Sequence, residues 1–153
     1  MATLRDKIRM TDEEVKTYLQ GRHTMNVATN GPDGYPHLVA MWYGFLDEAP
    51  AIWTYGKSQK VQNLRRDDRL SCLIEDGDNY QELRGLMLVG RGVIIDDMAQ
   101  KLVLGKSLYE RYTGPLTAES SADLERNARK RVVVRIEVEQ VISWDHRKLA
   151  TLL

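Results

Sequence analysis

This chain of 153 residues contains a single phenylalanine and a single cysteine, and it carries no surplus of charge. Cys72 permits no internal disulfide, which fits a reducing, cytoplasmic setting. It stands in LSCLIE, a strand-like run where a thiol reads as a small buried hydrophobe. Lys plus Arg equals Asp plus Glu at 22 each, so nothing draws the chain broadly toward nucleic acid or an anionic membrane. No apolar run approaches the ~20 residues that span a bilayer. The opening MATLRDKIRM lacks the apolar core of a signal peptide. HExxH, cysteine-rich metal patterns, GxGxxG and the Walker lysine motif are also missing. His23, His37 and His146 are far apart, so no metal site is expected. His23 and His146 read as surface or boundary residues. Ser107 and Ser120 have no triad signature around them.

At 42% hydrophobic and 29% charged residues, the composition is that of a globular protein, and residues 1–153 read as one domain. Thr11 to Glu14 form a capping-box pattern that opens a helix, which Gly21 closes. Strands are expected at 24–29, 35–45, 51–55, 70–75 and 83–95, with a last strand pair or one bent strand over 131–144. Asn30-Gly31-Pro32-Asp33-Gly34 is a turn cluster between the first two strands. Further helices are expected at 59–66, with Val61 and Leu64 toward the sheet, and at 97–112. The apolar side of the second falls on Met98, Leu102, Tyr109 and Tyr112, and Gly105 weakens it. Residues 113–123 read as a polar loop, followed by a helical turn within 124–130. Strands one and two are too closely joined for a parallel crossover, so the fold class is mostly β. A small antiparallel barrel with peripheral helices fits this order.

The densest chemical signal is WTYGKSQKVQNLRRDDRL, residues 53–70. A strand-like run ends at Tyr55-Gly56, and a basic turn leads into a helix. Lys57 and Lys60 stand three apart near its start, where cations oppose the helix dipole. Two readings follow: an anion such as a phosphate compensates the conflict, or both ammonium groups point into water. His37, beside the glycine-rich turn, either borders a ligand or ends a solvated strand. Asp67 and Asp68 lie among Arg65, Arg66 and Arg69 and read as a solvated helix end with local ion pairs. Trp42, Trp53 and Trp144 fall in strands and read as core or interface.

The segments GRHTMNVATNGPDGYPHLVAMWYGF, WTYGKSQKVQNLRRDDRLSCLIEDGDNYQELRGLMLVGRGVIIDD and VISWDHRKL together resemble the pyridoxamine-phosphate-oxidase-like split barrels. The similarity is greatest to the flavin- and deazaflavin-dependent oxidoreductase branch. That resemblance implies a six-stranded antiparallel split β-barrel with peripheral helices, forming a homodimer with two cofactor sites at the subunit interface. It implies that Thr54, Lys57, Ser58 and Lys60 line a cofactor phosphate pocket. Pro36, His37, Val39 and Met41 would lie along the ring, and Trp144 would approach the cofactor from the partner subunit. The KSQKVQNLRRDDR form points to the deazaflavin F420, with FMN as the alternative. Vitamin B6 oxidation is not expected, because true pyridoxamine phosphate oxidases have a longer chain and additional arginines. The implied reaction is hydride transfer from reduced F420 to an activated C=C or C=N of a small molecule. Water, Tyr43 or Tyr80 are candidate proton sources, and no catalytic residue is assigned. An FMN-dependent oxidoreductase and a non-catalytic flavin-, F420- or haem-binding protein are the competing readings.

Overall fold

The computed structural model describes residues 1–22 and 24–151, so the expectation for His23 lies outside the described residues. Seven strands form one antiparallel sheet: β1 (Thr24–Asn30), β2 (Pro36–Trp42), β3 (Gly44–Leu46), β4 (Ala49–Tyr55), β5 (Arg69–Asp76), β6 (Arg84–Ile95) and β7 (Arg131–Asp145). Their order across the sheet is β2-β1-β5-β6-β7-β4-β3. The sheet curls, and β2 comes back into contact with β4. Five α-helices sit around it: α1 (Leu4–Lys7), α2 (Asp12–Gly21), α3 (Gln59–Arg66), α4 (Met98–Tyr112) and α5 (Ala118–Ala128). Among the described residues, no helix is long and apolar enough to cross a membrane.

Six strands were expected and seven are found, because the expected strand 35–45 breaks at Tyr43. The Tyr43 peptide leaves the ladder and is satisfied by one phenol: its N–H donates to Tyr112 Oη, and Tyr112 Oη donates to its carbonyl, each at 3.0 Å. The Tyr43 ring is fully buried. Past this point β3 pairs with β4, at the opposite margin of the sheet from β2. At the C-terminal end, 131–145 forms one bent strand rather than a pair.

Helix ends follow the sequence chemistry. Thr11 and Glu14 make the reciprocal capping box of α2. Thr3 with Asp6 and Thr117 with Ser120 do the same for α1 and α5. The second of these makes a helix of 118–128, most of which was expected to be loop. In α4 the buried face is Lys101, Leu104, Gly105 and Leu108, so Met98, Leu102, Tyr109 and Tyr112 do not form its centre. Gly105 is tolerated there because the Trp53 ring lies on it: a Cβ would sit 3.1 Å from that indole.

Alternation along the strands separates two faces. Val39, Val27, Cys72 and Leu88 make a row facing inward, where Met25, Tyr43, Ile74, Leu86 and Ile136 complete the core. Burial pushes the Cys72 thiol up to about 12. The adjacent outward row reads Ala40, Asn26, Leu73, Met87 and Ile142 across five strands. A smaller cluster of Leu46, Ala51, Leu104, Leu108 and Val133 lies between the sheet and α4.

Candidate cofactor site

The start of α3 is built around a buried cation. Lys60 is only 8% exposed, and its Nζ donates to Thr54 Oγ1 at 2.8 Å. That partner is neutral, and no carboxylate pairs with Lys60 among the described residues. Burial accordingly holds its pKa below the ordinary lysine value. Ser58 is the N-cap residue, yet its side chain makes no capping bond, and its Oγ is buried without a partner. The first-turn N–H groups of α3 have no intrahelical acceptors. Ammonium, two hydroxyls and the positive end of a helix therefore converge without a negative charge. A phosphate would supply a negative charge and acceptor oxygens to this corner.

Local packing fixes the corner. Val61 and Leu64 anchor α3 in the core, and the fully buried Asn63 donates from Nδ2 to Thr29 Oγ1 at 3.0 Å. That bond ties α3 to β1. Thr54 lies on the inward face of β4, opposite Val132 of β7.

The nine residues expected at a cofactor divide into three groups. Thr54, Ser58 and Lys60 meet at the α3 corner. Lys57 is on the same turn but exposed, because it precedes the N-cap and helical spacing does not extend to it. On β2, His37, Val39 and Met41 share the half-buried face, and Pro36 is exposed at the strand start. His37 pairs with Thr29, and its Nδ1 is buried with no partner. Because β2 lies at the end of the strand order, one of its backbone edges has no strand neighbour in the sheet. Trp144 is at the far end of β7 from the Thr54–Val132 pair and stands over Gly85. It shares the outward face with Ile142, since Ser143 and Asp145 point inward.

Of the candidate proton donors, Tyr43 is sealed in the core. Its hydroxyl donates to the Leu19 carbonyl, and burial pushes its pKa up to about 12. Tyr80 is exposed and packs edge-on against His146, near the Trp144 end of the sheet. Asp67 makes the expected local ion pair, with Arg69 at 2.7 Å, whereas Asp68 reaches across to Arg91 of β6 at 2.5 Å.

Sequence reasoning missed Thr29, Asn63 and Arg131. Asn63 carried a signal, being a polar residue on the same face of α3 as Lys60. Arg131 looks like a solvated strand end until the β4–β7 register sets it opposite Tyr55.

A family model described as pyridoxamine 5'-phosphate oxidase matches residues 11–145, and the chain belongs to that family. Among solved structures, it is similar to the conserved hypothetical protein Rv2991 of Mycobacterium tuberculosis, at 44% identity and a TM-score of 0.91. That match covers 97% of this chain and 93% of the other. A protein described as an F420 reductase is 25% identical with a TM-score of 0.63, over 82% of this chain and 94% of that one. HutZ, a haem storage protein of Vibrio cholerae, shares the fold at 16% identity and a TM-score of 0.66, over 86% and 94% of the two chains. No curated protein matches this sequence. Family membership points to a flavin-type cofactor and to oxidoreductase chemistry in general.

Proposed function

We propose that this protein is an oxidoreductase that binds a phosphate-bearing tricyclic cofactor between two copies of the chain. The observation that carries this reading is the unpaired Lys60 ammonium beside the unpartnered Ser58 hydroxyl at an uncapped helix start. Lys60, Ser58 and Thr54 would hold the phosphate, and the exposed Lys57 would add long-range attraction. His37, Val39 and Met41 would flank the ring along β2. When bound, such a cofactor supplies hydride transfer to an activated C=C or C=N. The chain's own task is to fix the ring at one height along the β2 backbone, whose outer edge has no strand neighbour, and to exclude water with apolar walls.

F420 is the finer reading, supported by the likeness to an F420 reductase, and FMN is the alternative. Parallel fluorescence titrations with F420 and FMN at fixed salt decide between them. We expect saturable binding of F420 at a lower Kd than FMN, followed by oxidation of reduced F420 on adding an acceptor. Tighter FMN binding transfers the reading to an FMN oxidoreductase. Tight binding with no turnover over a broad acceptor panel makes the protein a carrier.

The outward face supports the two-chain reading. Leu73, Met87 and Ile142 form a half-exposed apolar band on a five-strand row, and Leu38, on the same face, is 68% exposed. Such a face is stable in water when another sheet covers it. Trp144 stands on this face, where a partner's cofactor would find it. The protein should sediment as a dimer at micromolar concentration. Leu73→Asp with Met87→Asp should give monomers that bind cofactor at least tenfold more weakly. A wild-type monomer in analytical ultracentrifugation contradicts the shared site.

A further inference from the structure

A second unpaired cation lies on the other face of β4. Alternation sends Ile52 and Thr54 into the barrel, and Trp53 and Tyr55 outward on the α4 side. Arg131 stands opposite Tyr55 in the β4–β7 register. Its guanidinium carbon is 4.4 Å from the Tyr55 ring centroid and 4.9 Å from that of Trp53. No carboxylate pairs with Arg131 among the described residues, and its Nε is buried with no acceptor. Trp53 Nε1 is in the same condition. Two buried N–H donors left unmade within one small region are rare in a folded protein.

Both residues line a cleft of about 460 Å³ between β2, β4, α4 and α5. Its other walls include Met41, Trp42, Leu108 and Leu124, which are apolar. Trp42 is stacked on Tyr112 with centroids 4.3 Å apart and planes 3° from parallel. The volume falls in the range of small-molecule sites, and the ratio of wide apolar wall to few convergent donors is that of a pocket that orients its ligand.

We propose that this cleft binds a flat, conjugated carboxylate, with the carboxylate on Arg131 and Trp53 Nε1 and the apolar body against Met41 and Trp42. As hydride acceptor it would take the reduced cofactor's hydride at the β-carbon of its C=C and a proton from water at the α-carbon, leaving a saturated carboxylate and the oxidised cofactor. The inference rests on the oxidoreductase reading above, since Met41 belongs both to this cleft and to the ring-facing row of β2. A carboxylate provides acceptors for both unmade donors and the counter-charge that the aromatic faces only partly replace. The phosphate corner at Lys60 is on the opposite face of β4, so two anionic groups are recognised separately.

The test is isothermal titration of the full-length protein with cinnamate, a conjugated carboxylate, and with its neutral amide. We expect saturable cinnamate binding, at least tenfold weaker binding of the amide, and a loss of roughly 10- to 100-fold in cinnamate affinity for Arg131→Gln. Trp53→Phe retains the aromatic packing and should lose about tenfold, guarding against a folding defect in the arginine variant. F420 and FMN affinities should be unchanged in both variants. Absence of saturable cinnamate binding, equal affinity for the amide, or wild-type affinity in Arg131→Gln overturns the proposal. So does a parallel loss of cofactor affinity in Arg131→Gln, which would assign the cleft to an acidic group of the cofactor itself. Cinnamate binding that depends on Arg131, in a protein that binds neither cofactor, would sink the oxidoreductase reading while leaving the carboxylate site standing.

Discussion

Lys60→Met stabilises the cofactor-free protein and weakens cofactor binding by roughly 10- to 100-fold, the range of one charge-assisted phosphate contact. Both effects have one cause. The ammonium is buried against a neutral threonine hydroxyl, so in the empty protein it is a charge without a counter-charge. Methionine fills a similar volume and removes that burden, for a gain on the order of 1 kcal/mol after the Thr54 hydroxyl loses its donor. The same change removes the charge that a phosphate needs. Thermal denaturation and cofactor titration of the two proteins check both halves.

A pH dependence follows with a definite sign. Burial lowers the Lys60 pKa in the folded state relative to the unfolded chain. Below the lowered folded value the amine is charged in both states, and the penalty is fully present. As pH rises through the lowered folded value, the folded protein releases its proton first and the penalty fades, vanishing above the unfolded value of about 10.5. The stability gap between Lys60→Met and wild type should therefore narrow as pH rises toward about 10.5. Cys72 and Tyr43, whose pKa values are raised, weaken both proteins as pH climbs and cancel in the difference. A gap that stays constant with pH contradicts a buried ammonium.

Gly90→Ala is expected to be the most damaging single methyl group in the sheet. The β6–β7 ladder shifts register between Val89 and Gly90, where β7 carries one extra residue, Glu139, between Val138 and Gln140. A Cβ at Gly90 would run into the Glu137 carbonyl oxygen and come within 3.1 Å of Val138 Cα. Both are backbone, so relief requires the two longest strands to move apart. We expect a loss of about 3 kcal/mol or more in urea denaturation, with a matching rise in amide exchange across the β6–β7 pair. Gly34→Ala is the control. Gly34 has φ +87° but nothing within 4 Å of a Cβ, so only the backbone penalty of about 1 kcal/mol applies. Equal effects at the two sites would show that the bulge yields.

Where a structure follows from neighbours in sequence, the residues alone announce it. The Thr11–Glu14 capping box, the burial of Cys72 in a strand and the apolar pair Val61 and Leu64 are all local patterns, and each appears where it was expected. The break at Tyr43 depends on Tyr112, 69 residues away, and no local pattern reports it. The first half of α5 was missed because its capping partner is Ser120 rather than the usual Glu or Gln, and its first turn is small and polar. At the site, the basic turn was legible as a cluster of charge, but not the division of labour within it. Lys57 and Lys60 look equivalent by spacing, and only the position of the N-cap separates a solvated lysine from a buried one. Arg131 and Trp53 required strand register, which joins positions far apart in the chain.

The phenol of Tyr112 does for Tyr43 what a neighbouring strand would otherwise do, and it is mounted on a helix rather than on the sheet. The seam of the barrel is thus fastened to α4 by a side chain, like a button through cloth. β2 and β4 share no ladder bonds, so loss of the Tyr112 hydroxyl would loosen that seam and leave the strand pairing of the sheet intact.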